Sequence, residues 1–296
     1  MVEALLPYPQ IDPVLIHLGP VAIRWYALSY ITGLLLGWWL IVRMLRQADL
    51  WKNRPFKGKA PATADDIGDL FVWVTLGVIV GGRLGYDLFY SIFFCSLWTG
   101  PACSGLPAAF LHNPLLLIAD WDGWVPRLLG MSFHGGLIGV VVALVLFCRN
   151  RKLDLLKVGD LVAATTPIGL FFGRIANFIN GELWGKITNS PLGMVFPHAG
   201  DQPRHPSQLY EAAAEGLLLF AILQVCIRYF RLHERPGLVT AIFFAGYGLA
   251  RFLAEFFRDS ESMIYGWFSM GMALSLLMWA AAAFFFWVAL KKPARA

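Results

Sequence analysis

Residues 265–290 read YGWFSMGMALSLLMWAAAAFFFWVAL, twenty-six positions without a single Asp, Glu, Lys or Arg. At about 1.5 Å per residue a helix of that length reaches roughly 39 Å, longer than the roughly 30 Å hydrocarbon core of a bilayer. The rest of the chain is little more polar. Of its 296 residues 58% are hydrophobic and 15% charged, against about 45–50% and about 25% in soluble domains. A water-soluble protein of this size could not cover so much apolar surface, so the bilayer is the expected solvent.

Outward from that run, six more stretches have the length and apolarity of a span. Residues 25–42 and 131–148 carry no Asp, Glu, Lys or Arg, whereas 67–90, 157–178, 206–227 and 238–257 are each interrupted by charge. None alternates with the period of two that marks membrane strands. The expectation is an all-α polytopic membrane protein with about seven transmembrane helices, a single integral-membrane domain over residues 1–296. Residues 43–66 read as a cytoplasmic linker, and loops 91–130 and 179–206 as a small extracytoplasmic head. The first twenty residues carry Glu3, Asp12 and four prolines, so they read as an ordered interfacial arm and not as a signal peptide.

The Lys and Arg residues sort by loop. Sixteen fall in the first, third and fifth connections and the C-terminal tail, and five in the arm and the even-numbered connections. By the positive-inside rule the N-terminus lies outside and the C-terminus in the cytoplasm. The net charge of +5 is then a topology signal and no footprint of nucleic acid. Cys148 and Cys226 sit in apolar runs as small core residues. Cys95 and Cys103 share one loop and form a disulfide pair if that loop faces an oxidising compartment.

Three basic residues remain, Arg83, Arg174 and Arg251, one in each of the second, fourth and sixth spans. Each follows thirteen uncharged positions, which puts every guanidinium roughly 20 Å from the inner edge of the core. The three are expected to gather beneath the outward face. An arginine at such depth costs about 2.5–3.5 kcal/mol on insertion scales and asks for a partner or a role. Asp87, one turn on, suits Arg83 as an internal ion pair. Arg174 has no carboxylate within a turn, which favours function. Tyr247, Arg251, Glu255 and Arg258 form one helical stripe whose two arginines outnumber its glutamate, and a surplus buried cation invites an anionic ligand.

The third span opens with Ser132, Phe133, His134, Gly135 and Gly136. Unpaired N–H groups and glycines at a helix N-terminus admit a phosphate, while glycines in membrane helices equally serve close packing. His134 is suited to proton transfer near neutrality. The densest polar run, GRIANFINGELWG at 173–185, places Arg174, Asn177, Asn180 and Glu182 where the fourth span ends. Arg204, His205, Ser207, Gln208, Tyr210, Glu211 and Glu215 lead into the fifth, with Ser207 as a plausible N-cap. No nucleophile elbow, nucleotide-binding loop, HExxH or paired-cysteine metal site occurs.

Together GRIANFINGELWG, Tyr26, HGGLIG from His134, RHPSQLYE from Arg204 and GYGLARFLAEFFR from Gly246 resemble the bacterial phosphatidylglycerol–prolipoprotein diacylglyceryl transferase family, over most of the chain. The resemblance implies a seven-helix enzyme of the bacterial inner membrane. Such an enzyme moves diacylglyceryl from phosphatidylglycerol to the lipobox cysteine of a prolipoprotein, giving a thioether and glycerol phosphate. Its partners are then phosphatidylglycerol, the prolipoprotein's signal-peptide and lipobox segment, and bilayer lipid, without nucleic acid, metal or organic cofactor. The implied functional positions are Tyr26, His134, Arg174, Asn177, Glu182, Gly185, Tyr247 and Arg251, to which the charged stripe adds Glu255 and Arg258 as substrate-binding residues. Arg174 and Arg251 suit the leaving phosphate by bidentate bonds, His134 is the candidate general base, and Tyr26 joins them as a catalytic residue. Asn177, Glu182 and Tyr247 position the substrate. The alternative is a transporter or channel for an anionic solute, because intramembrane arginines also mark pathways.

Overall fold

The structure, a computed structural model, describes residues 6–18, 21–88, 120–122, 125–127, 132–259 and 263–291. Cys95, Cys103 and most of loop 91–130 lie outside that set. Seven helices of four turns or more run through the described residues. They are α1 (Trp25–Leu45), α2 (Ala64–Tyr86), α3 (Phe133–Arg151), α4 (Leu155–Ile179), α5 (Ser207–Arg228), α6 (Leu238–Ala254) and α7 (Met270–Lys291). Six are long and apolar enough to cross a bilayer, and α6, at 17 residues, is the short one. Only 17% of the most apolar window of α7 is buried, at a mean hydropathy of 2.1, so its side chains are matched to a hydrocarbon surround rather than to a protein core.

Among the described residues three antiparallel strand pairs lie outside the spans: β1–β2 (Val14–Leu18, Val21–Arg24) ahead of α1, β3–β4 (Asp120–Asp122, Val125–Arg127) between α2 and α3, and β5–β6 (Met263–Tyr265, Phe268–Ser269) ahead of α7. The sequence pattern does not announce them, because two to five residues are too few for an alternation to register.

The chain forms two compact units. The smaller, Ala62–Leu155, is built on α2 and α3. Its first helix opens on a capping box: Thr63 Oγ1 accepts from the Asp66 amide at 3.1 Å while Asp66 Oδ2 accepts from the Thr63 amide at 2.9 Å. Glycines at 77, 81 and 85 on α2 face Gly135 and Gly139 on α3. A Cβ on Gly81 would lie 2.8 Å from the Gly139 Cα, and one on Gly85 2.6 Å from the Gly135 Cα. This is backbone-to-backbone packing that larger residues would forbid. The outcome corrects the phosphate reading of Gly135, which faces α2 instead of an open anion site. Ser132 caps α3, accepting from the Gly135 amide at 3.2 Å. Arg83 and Asp87 pair at 3.2 Å with both side chains buried, as expected for an internal ion pair. Near the opposite end of α3, Arg151 bonds Asp69 and lies 3.9 Å from Asp66.

The larger unit, Met1–Pro61 with Leu156–Ala296, contains α1 and α4–α7. Helix α6 starts at Gly237, held at φ 94°, where a side chain would be strained. Its first amides are capped from α4: Asp160 accepts from Gly237 N at 2.8 Å, Thr240 N at 2.8 Å and Thr240 Oγ1 at 2.7 Å. Helices α6 and α7 meet through Trp279, whose indole N–H donates to the Ala245 carbonyl at 3.3 Å, and through stacked Phe244 and Phe285. Helix α5 widens into a π-helical turn over Ala212–Leu218. In the described part of the N-terminal arm, the Tyr8 hydroxyl donates to the Phe178 and Ile179 carbonyls at 2.6 and 3.0 Å, and its ring packs on Phe178 and Phe196.

Candidate active site

One end of the larger unit gathers the C-terminal ends of α4 and α6 and the N-terminal end of α5. At their centre is Glu211, with its side chain 1% exposed. Arg174 from α4 reaches Glu211 Oε2 with Nε at 2.9 Å. Arg251 from α6 lies 3.6 Å from the same oxygen. Arg258, just past α6, sits 3.4 Å from Oε1 and 3.5 Å from Oε2. Two further carboxylates flank this hub. Glu215, one turn along α5, takes Arg174 Nε and Nη2, both at 3.1 Å and both on Oε2. Glu255 pairs with Arg251 and accepts from Ser269 Oγ at 2.6 Å.

In residue count, three guanidiniums therefore face three carboxylates among the described residues, where the α6 stripe alone has two arginines and one glutamate. Glu211 and Glu215 reach that stripe from a neighbouring helix. The third arginine of the cluster is Arg258. Arg83 belongs to the other unit, where Asp87 holds it. Glu211 and Glu215 stand four apart in a span, a spacing that puts both carboxylates on one face. That was the signal available in the sequence for the two residues it did not assign.

Asn177 and Glu182 close the turn after α4. Asn177 Nδ2 donates to Glu182 Oε1 at 2.7 Å, and the Glu182 amide to the Asn177 carbonyl at 3.1 Å. Gln208, unassigned from sequence and almost fully buried, donates to the Glu182 carbonyl at 2.6 Å. Ser207 is the first residue of α5 and donates to the Leu183 carbonyl at 3.0 Å. It does not cap the helix: Pro206 holds the cap position, and the Ser207 hydroxyl is used to fasten the preceding loop.

Gly185 has a packing reason. Its amide donates to the His205 carbonyl at 2.8 Å, and it bridges Arg258. A Cβ there would come 2.5 Å from the Phe257 carbonyl oxygen and 2.7 Å from the His205 Cβ. Its smallness seats the segment that carries Arg258. Arg204 fastens the same loop through Asp259 at 2.6 Å and the Ala199 and Gly185 carbonyls. The His205 ring lies between Tyr210 and Phe257, and burial pushes its imidazole below the ordinary histidine range.

Tyr247 on α6 lies within electrostatic reach of Glu215, Arg174, Arg251 and Glu211. Tyr26 accepts from the Tyr30 hydroxyl at 3.2 Å, and Tyr30 feels both Arg174 and Glu182. The larger unit thus brings together Arg174, Arg251, Glu255, Arg258 and Tyr247, with Asn177, Glu182 and Gly185 on the adjoining turn. His134 stands exposed in the first turn of α3, in the smaller unit.

Guanidiniums this deeply set in apolar helix ends define a polytopic membrane protein with an ionic site inside its spans. The family model for prolipoprotein diacylglyceryl transferase matches residues 13–288. A phosphatidylglycerol–prolipoprotein diacylglyceryl transferase of Rhodospirillum rubrum is 50% identical over 275 residues, covering 92% of this chain and 89% of its own. The protein of that name from Allorhizobium ampelinum is 46% identical, with 96% and 92% covered, and that from Methylocella silvestris 49%, with 94% and 93%. The chain belongs to the prolipoprotein diacylglyceryl transferase family.

Proposed function

We propose that this protein transfers the diacylglyceryl group of phosphatidylglycerol to the lipobox cysteine of a prolipoprotein, forming a thioether and releasing glycerol phosphate. Family membership supports the activity, and one observation carries the site: Arg174, Arg251 and Arg258 converge on Glu211 within apolar helix ends. The thiolate attacks an sp3 carbon of glycerol and the C–O bond to phosphate breaks, so negative charge grows on the leaving phosphate. Arg174 and Arg251 hold that charge with planar N–H pairs. Tyr26 and Tyr247 border the reacting groups, Glu255 fixes Arg251, and Asn177, Glu182 and Arg258 bind the lipid head group. A free cysteine with a pKa near about 8.5 is mostly protonated at neutrality, so the reaction needs a base, and the sequence resemblance offers His134 for that role.

The site faces the extracytoplasmic side of the bacterial inner membrane, with the N-terminus outside and the C-terminus in the cytoplasm. The basic loops support that orientation. There the lipid head group and a newly exported cysteine are both within reach.

The test mixes purified protein, phosphatidylglycerol and a lipobox peptide, and weighs the peptide by mass spectrometry. A cysteine-linked diacylglyceryl adduct is expected, and Arg174→Ala and Arg251→Ala should insert normally yet form none. Folded protein that yields no adduct but conducts an anionic solute would replace this reading with the transporter.

A further inference from the structure

The three carboxylates of the ionic cluster are not equivalently held. Both oxygens of Glu211 meet guanidinium nitrogens. Glu255 is held by Arg251 and by the Ser269 hydroxyl. Glu215, with no exposed side-chain surface, meets Arg174 alone and through one oxygen, and its Oε1 is buried without a hydrogen-bond partner. A bare ionised oxygen in such a place costs several kcal/mol.

A second observation points the same way. Arg174 Nε is shared between Glu211 Oε2 at 2.9 Å and Glu215 Oε2 at 3.1 Å, so two carboxylate oxygens crowd one N–H. Two carboxylates this close resist ionising together. The other groups facing Glu215 are Arg174 from α4, Glu211 on its own helix, and Arg251 and Tyr247 from α6. Between residues 25 and 42, α1 offers only apolar, hydroxyl and phenolic side chains.

We propose that Glu215 carries a proton on Oε1, so that the cluster holds three guanidiniums against two carboxylates and takes a monoanionic phosphodiester as its missing counter-ion. The balanced count of three against three would give an incoming phosphate no net attraction. Protonation leaves one unit of guanidinium charge uncompensated, which matches a lipid phosphodiester. Glu215 is thereby a specificity-determining residue for head-group charge. This rests on the phosphatidylglycerol reading above.

The test measures equilibrium binding of phosphatidylglycerol to the intact protein in phosphatidylcholine nanodiscs, without peptide, from about pH 5 to about pH 9. Leaving the peptide out removes thiol ionisation from the readout. Wild type should bind more weakly as pH rises, by up to about tenfold per unit above a single midpoint, as one proton is lost. Glu215→Gln, a permanent mimic of the protonated acid, should bind as tightly as wild type at low pH and show no pH dependence. A flat wild-type profile, or a slope that persists in Glu215→Gln, would overturn the proposal. Should Glu215→Gln fail to accumulate, Glu215→Asp should move the midpoint, and an unmoved midpoint would overturn it equally. Wild type that forms no adduct with peptide would remove the transferase reading itself, whereas active wild type with a flat profile removes only the role of Glu215.

Discussion

Glu211→Ala tests whether the ionic cluster is a single mechanical unit. The wild-type carboxylate meets Arg174, Arg251 and Arg258 at 2.9, 3.6 and 3.4 Å from a side chain 1% exposed. Its removal leaves Arg174 with Glu215 and Arg251 with Glu255, while Arg258 loses its contacting carboxylate. Breaking a buried ion pair by deleting one partner costs about 3–5 kcal/mol, because a desolvated charge is left uncompensated. For a chain of this size that corresponds to a fall of about 5–8 °C in melting temperature. The assay is thermal unfolding of the purified protein in detergent, followed through tryptophan fluorescence. The companion variant is Glu211→Ala with Arg258→Met, which removes the stranded cation together with its anion. It should recover at least about 1 kcal/mol relative to the sum of the single changes, as expected for residues in one network. A single variant melting within about 1 °C of wild type, or a double variant that is merely additive, would refute the shared-hub reasoning.

Other outcomes follow from the same geometry. Gly81→Val should force α2 and α3 apart at a cost of about 1–3 kcal/mol or more, whereas Gly68→Ala, with open space around its Cα, should leave the melting temperature equal or slightly raised; equal melting of the two would count against the glycine contact. Asp160→Ala removes three acceptor contacts from the start of α6 and should cost about 2–4 kcal/mol, read as faster hydrogen exchange at Gly237 and Thr240. The His233 ring is buried between Trp51 and Phe56 with Nε2 at 2.8 Å from the Leu50 carbonyl, and burial pushes its pKa below the ordinary value. The folded state then binds fewer protons than the unfolded one, so stability is full above about pH 6.5 and is lost as pH falls from there through the lower folded pKa. His233→Phe should flatten that acid limb of the melting profile, and an unchanged limb would assign it elsewhere.

The seven helices were legible in the sequence because a bilayer imposes one length and one polarity on every span, and each observed helix overlies its expected stretch. The internal pair of Arg83 with Asp87 was readable for a similar reason, being a contact within four residues. Glu211 and Glu215 were visible as residues, but their meaning was not, since the stripe from Tyr247 to Arg258 shows a charge surplus only while α5 is ignored. Gly135 admitted two readings from sequence, and its α2 neighbours decided for packing. Ser207 looked like a cap because capping is the commoner use of serine at a helix start, while the bond that occupies it runs to Leu183 across a loop. Each miss depended on which elements become neighbours, and local pattern does not encode that.

The π-helical turn over Ala212–Leu218 amounts to one residue more than a regular helix would use across that length. Deleting one residue there would let the backbone relax to ordinary helical bonding with the phase beyond it nearly kept, whereas a deletion just past it, in the regular part of α5, would turn everything beyond by about 100°. After that second deletion Leu223 and Ile227, which are now buried, would swing toward lipid, and the exposed Ile222 and Val225 would turn toward the protein. The inserted residue thus works as a phase marker: it lets the head of α5 aim its two acids at the arginines while its tail keeps an apolar seam in step with its neighbours. Shortening α5 beyond that turn is a change of rotational setting, whereas a substitution alters only one side chain.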